Sequence, residues 1–197
     1  MQNEWFRPLV WMDYRLAVLF TAIIPLILFI WAFGQKAEAI QRLLTIYWRV
    51  ASLLAITVYL LIAALPVGFI SGLMARIIIP ISLWFWVDLN EEIEDQPRGA
   101  LKLAFNSWRW AITVYSTLGA LAQVPFLQCA VSRTAIASPF CRVWLEPPLI
   151  FKDYFHANTS PRFLGFLGIF GLIIYMLCLI YFVVVKLGKQ GRSAIPQ

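Results

Sequence analysis

An all-α, polytopic helical membrane bundle is predicted by three features of this 197-residue sequence. Hydrophobic side chains make up 61% of it and charged ones 13%, with a mean hydropathy of +0.78. That is more apolar surface than one soluble core of this length could cover. Four runs, 16–33, 50–75, 110–132 and 163–185, hold no charged side chain, and a spanning helix needs about 20 such residues. Cations bracket each run as Arg15/Lys36, Arg49/Arg76, Arg109/Arg133 and Arg162/Lys186, where long basic side chains reach the headgroups. Trp5, Trp11, Trp31, Trp48, Trp84, Trp86, Trp108 and Trp110 fall at or near the predicted interfaces. Trp144 lies in a loop and has no such explanation. The chain reads as one transmembrane domain, 1–197, because no polar stretch exceeds a loop in size.

The first run is followed by Ala37-Glu38-Ala39, which resembles a signal cleavage site. Glu4 and Asp13 beside Arg7 and Arg15, together with the length of the run, argue for a retained helix. Between the first two runs, Ile40, Leu43, Leu44, Tyr47 and Trp48 recur at helical spacing. Either an interfacial helix or an extension of the second span has that pattern.

The second run carries the main ambiguity. Residues 77–87 are apolar but too short to cross alone. One solution is four spans, with Pro66 kinking a long second helix and 77–87 at the interface. The other is five, with a hairpin turning near Pro66 and Gly68. The hairpin would bury Arg76 near the bilayer centre, at about 2.5–3.5 kcal/mol on insertion scales, and would turn on residues 65–69, which offer water no polar side chain. Four spans are therefore expected. Both solutions place residues 88–108 and the C-terminus on the more basic, cytoplasmic side and the loop 133–162 opposite.

Five of the ten acidic residues lie within 88–95: Asp88, Glu91, Glu92, Glu94 and Asp95. Such a patch is repelled by an anionic membrane surface, so it should project into the cytoplasm as a solvated loop or meet a basic partner. It lacks the spacing and turn glycine of a calcium loop. Gly68 and Gly72 form a G-x-x-x-G, and Gly165, Gly168 and Gly171 mark every third residue of the last run. Small residues in these rows admit close helix packing, inside the bundle or against another membrane protein. Ser160-Pro161 has the chemistry of an N-cap and first helical residue.

Cys178 reads as an apolar packing residue. Cys129 and Cys141 are separated by 11 residues, a spacing that admits a disulfide without requiring one. A thiol oxidoreductase would need a C-x-x-C relay, and none accompanies the pair. The single histidine, His156, lies in a loop, which argues against haem-b and multi-histidine metal chemistry. No metal, cofactor or catalytic residue is predicted. A chlorophyll would have Gln123 as a polar axial substitute, but a lone polar residue more often packs helices. The basic residues are scattered, so nucleic acid is not an expected partner.

The opening Asn3-Glu4-Trp5-Phe6-Arg7-Pro8-Leu9-Val10-Trp11-Met12-Asp13-Tyr14-Arg15-Leu16-Ala17 and the central Trp86-Val87-Asp88-Leu89-Asn90-Glu91 resemble an uncharacterised family of cyanobacterial membrane proteins, a domain of unknown function. The resemblance covers nearly the full chain and implies a thylakoid or plasma membrane with a lumenal or periplasmic outer loop. It carries over no active-site residue. Two classes of function are expected. The first is a non-enzymatic accessory or assembly factor that binds other integral membrane proteins, such as a photosynthetic complex, within the lipid. The second is a small-molecule transporter or an enzyme acting on lipid, quinone or thiol, which should show a polar cavity open to one side.

Overall fold

A computed structural model describes residues 5–187 and 193–194, and the described residues form helices and turns without strands. Five helices are long and apolar enough to cross a membrane: α1 (Arg7–Gly34), α2 (Glu38–Ile62), α3 (Val67–Trp84), α5 (Ala100–Gln123, continued as a 3-10 turn over Val124–Ala130) and α9 (Pro161–Tyr181). The short α4 (Val87–Asp95) links α3 to α5. Three further short helices, α6 (Arg133–Ile136), α7 (Pro139–Arg142) and α8 (Glu146–Phe155), fill the connection to α9.

The expected four spans are thus corrected to five. Residues 50–75 are not one kinked helix, and residues 77–84 continue the helix α3. The hairpin forms because its turn needs no water. Leu65 N–H donates to the Leu60 carbonyl and Ala64 N–H to the Leu61 carbonyl, so the last carbonyls of α2 are satisfied locally. Ala64 takes the left-handed conformation this closure requires (φ 50°), and Pro66 then stops the helix. The turn is half-buried under the start of α9 and the outer cluster, which replaces the solvent that its apolar residues cannot use. Lys36 closes the α1–α2 turn in the same way, at φ 54° with Ala37 N–H bonded to the Ala32 carbonyl. The segment from Glu38 is a plain extension of α2.

α2 is the central helix, packed along α3 on one side and α9 on another, while α3 packs on α5. α1 widens by one turn over Leu19–Ile23, because Pro25 has no N–H for the carbonyls of Thr21 or Phe20. Both carbonyls find side chains instead. Tyr47 Oη donates to Thr21 at 2.8 Å and Trp108 Nε1 to Phe20 at 2.9 Å, tying α1 to α2 and α5.

Two apolar cores result. The larger joins Leu28, Tyr47, Leu83, Leu89, Ile93 and Phe105 at the α4 end of the bundle. The smaller joins Phe6, Val10, Phe69, Ile136 and Trp144 at the other end, around a disulfide between Cys129 and Cys141, with Cα atoms 5.8 Å apart. Trp144 is therefore a core residue, stacked edge-on against Phe126, and not a stray loop tryptophan. With five spans the N-terminus shares a side with residues 131–160, and Arg7 Nε donates to Glu146 Oε2 there at 2.9 Å.

Candidate functional site

Arg76 is the tenth of the 18 residues of α3, so the cation read as a membrane-end anchor lies at mid-span. A charge at that depth needs a partner. Asp13, nearly two turns into α1, supplies it by accepting a hydrogen bond from Arg76 Nη2. Tyr115 on α5 completes the group: its hydroxyl donates at 2.9 Å to the Asp13 carboxylate and backbone carbonyl, and its ring lies 5.5 Å from the Arg76 guanidinium carbon. Three helices are thus joined by one ion pair.

Glycines make room for it. α3 and α5 run antiparallel, and where one presents a long polar side chain the other presents a glycine. A Cβ on Gly119 would lie 1.7 Å from Arg76 Nη1, and a Cβ on Gly72 would lie 3.0 Å from Gln123 Nε2. Gly72 and Arg76 are one turn apart on α3, as Gly119 and Gln123 are on α5, so the two exchanges occupy consecutive rungs. Gln123 Nε2 donates to the Phe69 carbonyl at 3.0 Å, which uses half of its amide. It is a helix-packing contact, as its sequence context suggested, and also a cavity wall.

That cavity measures about 850 Å³, inside the roughly 300–1,000 Å³ typical of small-molecule sites. It opens between the outer halves of α1 and α2, where Ala17, Val18, Ala51 and Ala55 keep the walls low. Its floor is Gly72, Arg76 and Gln123, and Trp144 with α8 forms its roof. Most of the lining is apolar. Arg76, Gln123 and Trp144 are among the polar exceptions, and their Nη1, Oε1 and Nε1 atoms are closed off from the cavity and have no hydrogen-bond partner among the described residues. Buried polar atoms are nearly always paired, and each orphan is worth about 1–3 kcal/mol. By contrast Thr57 and Ser71, also buried beside the floor, satisfy each other at 2.9 Å.

The sequence-predicted residues lie elsewhere or play other parts. Asp88, Glu91, Glu92, Glu94 and Asp95 lie on α4, a helix and not a loop, whose Leu89 and Ile93 are buried in the larger core. Asn90 accepts from Arg109 and fixes α4 to α5, leaving Glu91, Glu92, Glu94 and Asp95 exposed. Asp88 accepts from Ser193 Oγ and Ala194 N–H. Lys189, Gln190 and Arg192 of the expected cytoplasmic tail fall outside the described residues. Gly68 and Gly72 face α2 and α5, Gly165 faces Ala63 just past the end of α2, and Gly168 and Gly171 face Leu60 and Ile56 of α2, so both glycine rows pack inside the bundle. Among the described residues no cluster of His, Cys, Asp and Glu could hold a metal ion.

Asp13, Tyr115 and Gly119 escaped the sequence reading. Their only signal was arithmetic: one arginine inside an apolar stretch and one aspartate at the head of the first helix, with nothing local to pair either.

A family model described as a protein of unknown function (DUF3177) matches residues 7–195. No curated protein and no solved structure matches the chain.

Proposed function

We propose, for a chain that belongs to the DUF3177 family of unknown function, that it is a membrane protein which holds a small amphipathic molecule of the lipid or quinone class in the cavity between α1 and α2. One observation carries this reading: a largely apolar cavity about 850 Å³ in volume whose lining includes the polar residues Arg76 and Gln123. An apolar pocket with a few convergent polar groups is the usual form of a small-molecule site. The opening between two helices suits entry from lipid.

Ala55 is exposed on the cavity wall, so tryptophan there would fill the space without displacing a packed neighbour. Wild-type protein taken from its membrane in mild detergent should carry a bound small molecule visible in native mass spectrometry, and Ala55→Trp should lose most of it. A wild-type protein free of any adduct, or equal loading of the two, would overturn the reading.

The accessory role is supported by a different observation. α4 is anchored by Leu89, Ile93 and Asn90, and it presents four exposed carboxylates on a fixed backbone. On this second reading α4 meets a basic surface of a larger membrane complex, photosynthetic if the cyanobacterial resemblance holds, in a thylakoid or plasma membrane. Charge asymmetry supports a cytoplasmic α4 and C-terminus: with Arg49 and Arg76 inside spans, eight cations lie on that side against six opposite. Residues 131–160 and the disulfide then face the lumen or periplasm, where a disulfide persists. Neutralising Glu91, Glu92, Glu94 and Asp95 to Gln or Asn should leave accumulation unchanged and weaken co-purification with partners, most at low salt. Partner recovery that does not change across a salt series would exclude this role for α4.

A further inference from the structure

One charge in the cavity wall lacks a counterion and thereby names the polar end of the occupant, an inference that rests on the binding role proposed above. Three charged side chains line the cavity: Asp13, Arg15 and Arg76. Asp13 and Arg76 neutralise each other. The Arg15 side chain has no ion pair or hydrogen bond among the described residues. The acidic residues at this end of the bundle are already engaged, Asp13 with Arg76 and Tyr115, Glu146 with Arg7 and Trp11, and Asp153 with Lys152. The wall therefore carries one net positive charge.

Arg15 is two residues beyond Asp13 on α1, about 200° round the helix, so it leaves the ion pair and faces the opening. It is exposed there, with Trp11 and Val18 one turn to either side. Equal steps along α1 and α2 from the Tyr47–Thr21 hydrogen bond bring Arg15 near the level of Leu53. Ser52 and Ala55, which flank that level on the α2 side of the cavity, are too small to cover a guanidinium. Ser52 brings no charge, and its hydroxyl donates to the Arg49 carbonyl at 2.7 Å. A guanidinium presents donors in a planar fork and no acceptor, a shape that an oxyanion matches with two parallel charge-assisted hydrogen bonds. An ammonium would be repelled, and an alcohol or ketone would leave the cation uncompensated beside lipid. We propose that the cavity takes an acidic amphiphile, its oxyanion head paired with Arg15 at the opening and its apolar chain lying between α1 and α2. A fatty carboxylate and a lipid phosphate share this chemistry.

Trp11 and Trp48 line the cavity and report on it without labels. Full-length protein in neutral detergent and mildly alkaline buffer is titrated with four brominated probes of equal chain length, a carboxylate, a phosphate monoester, an alcohol and a trimethylammonium, and tryptophan quenching is followed. At least one acidic probe should bind roughly tenfold tighter than the alcohol, the scale of a charge-assisted hydrogen bond. Tightest binding of the carboxylate assigns a fatty acid, and tightest binding of the phosphate a phospholipid head. Arg15→Gln should bring the acidic probes to the level of the alcohol and leave the alcohol unchanged, whereas Arg15→Lys should keep most of the preference. Arg133→Gln, which removes an equal charge from an exposed position outside the cavity, should keep all of it. The comparison of acid with alcohol is made on wild-type protein, so the result stands even if a variant folds poorly. Acidic probes that bind no tighter than the alcohol, or a preference that survives Arg15→Gln, would overturn the acidic head while leaving a binding cavity. If no probe quenches, the assignment and the binding role both fall.

Discussion

Asp13→Ala is expected to destabilise the protein by about 3–5 kcal/mol, because it leaves a cation at mid-span without its carboxylate. The side chains of Arg76 and Asp13 are only 10% and 20% exposed, so water cannot take over the lost interaction. Tyr115 Oη loses its side-chain acceptor in the same step. Thermal unfolding in detergent and the amount of protein accumulated in the membrane should both fall sharply. The double variant Asp13→Asn, Arg76→Gln removes both charges and keeps polar groups of similar shape. It should recover most of the loss, since a missing pair costs far less than half of one. Strictly additive losses in the two single variants and the double would show that the residues do not act as a pair.

Gly165→Leu has the next largest expected effect. A Cβ at this position would lie 2.3 Å from the Ala63 Cβ, a methyl group with no rotamer to escape into, so α9 must lift from the α2–α3 turn. Overpacking of that kind costs about 1–3 kcal/mol, and the turn would also lose the cover that lets its apolar residues avoid water. Gly168 follows, with a Cβ 3.1 Å from the Leu60 backbone nitrogen. Gly171 comes last, at 3.4 Å from Ile56 Cγ1. Leucine substitutions should therefore reduce the unfolding temperature in the order Gly165, Gly168, Gly171. Equal losses at all three positions would place α9 differently on α2.

The spans α1, α5 and α9 were legible because uncharged length alone defines them, and lipid imposes that length directly. The hairpin of α2 and α3 was hidden by the same rule. Arg76 interrupts an apolar stretch as a membrane-end anchor would, and its partner Asp13 lies in a segment that reads as flank. Insertion costs are tabulated for an isolated charge, whereas here the charge is compensated by a residue from another helix, a tertiary fact with no local spacing to betray it. The turn at Ala64 was judged unfit for water when it meets protein instead. The acidic run was legible as a solvated, charged face but not as a helix, because Leu89 and Ile93 acquire their meaning only from the core they enter. The cavity was illegible for a similar reason: Ala17, Ala51 and Ala55 carry no signal separately and line a space only once the helices are placed.

Everything argued for Arg76 and the cavity depends on α3 being a separate span, which puts the N-terminus and α4 on opposite faces of the membrane. Single cysteines at Trp5 and at Glu92, both exposed, test this in protein whose native cysteines are replaced. With an impermeant thiol reagent added to sealed vesicles of one orientation, the account predicts that one of the two positions is labelled from outside and the other only after the membrane is opened. Labelling of both from the same face would restore four spans, return Arg76 to the interface, and remove the site.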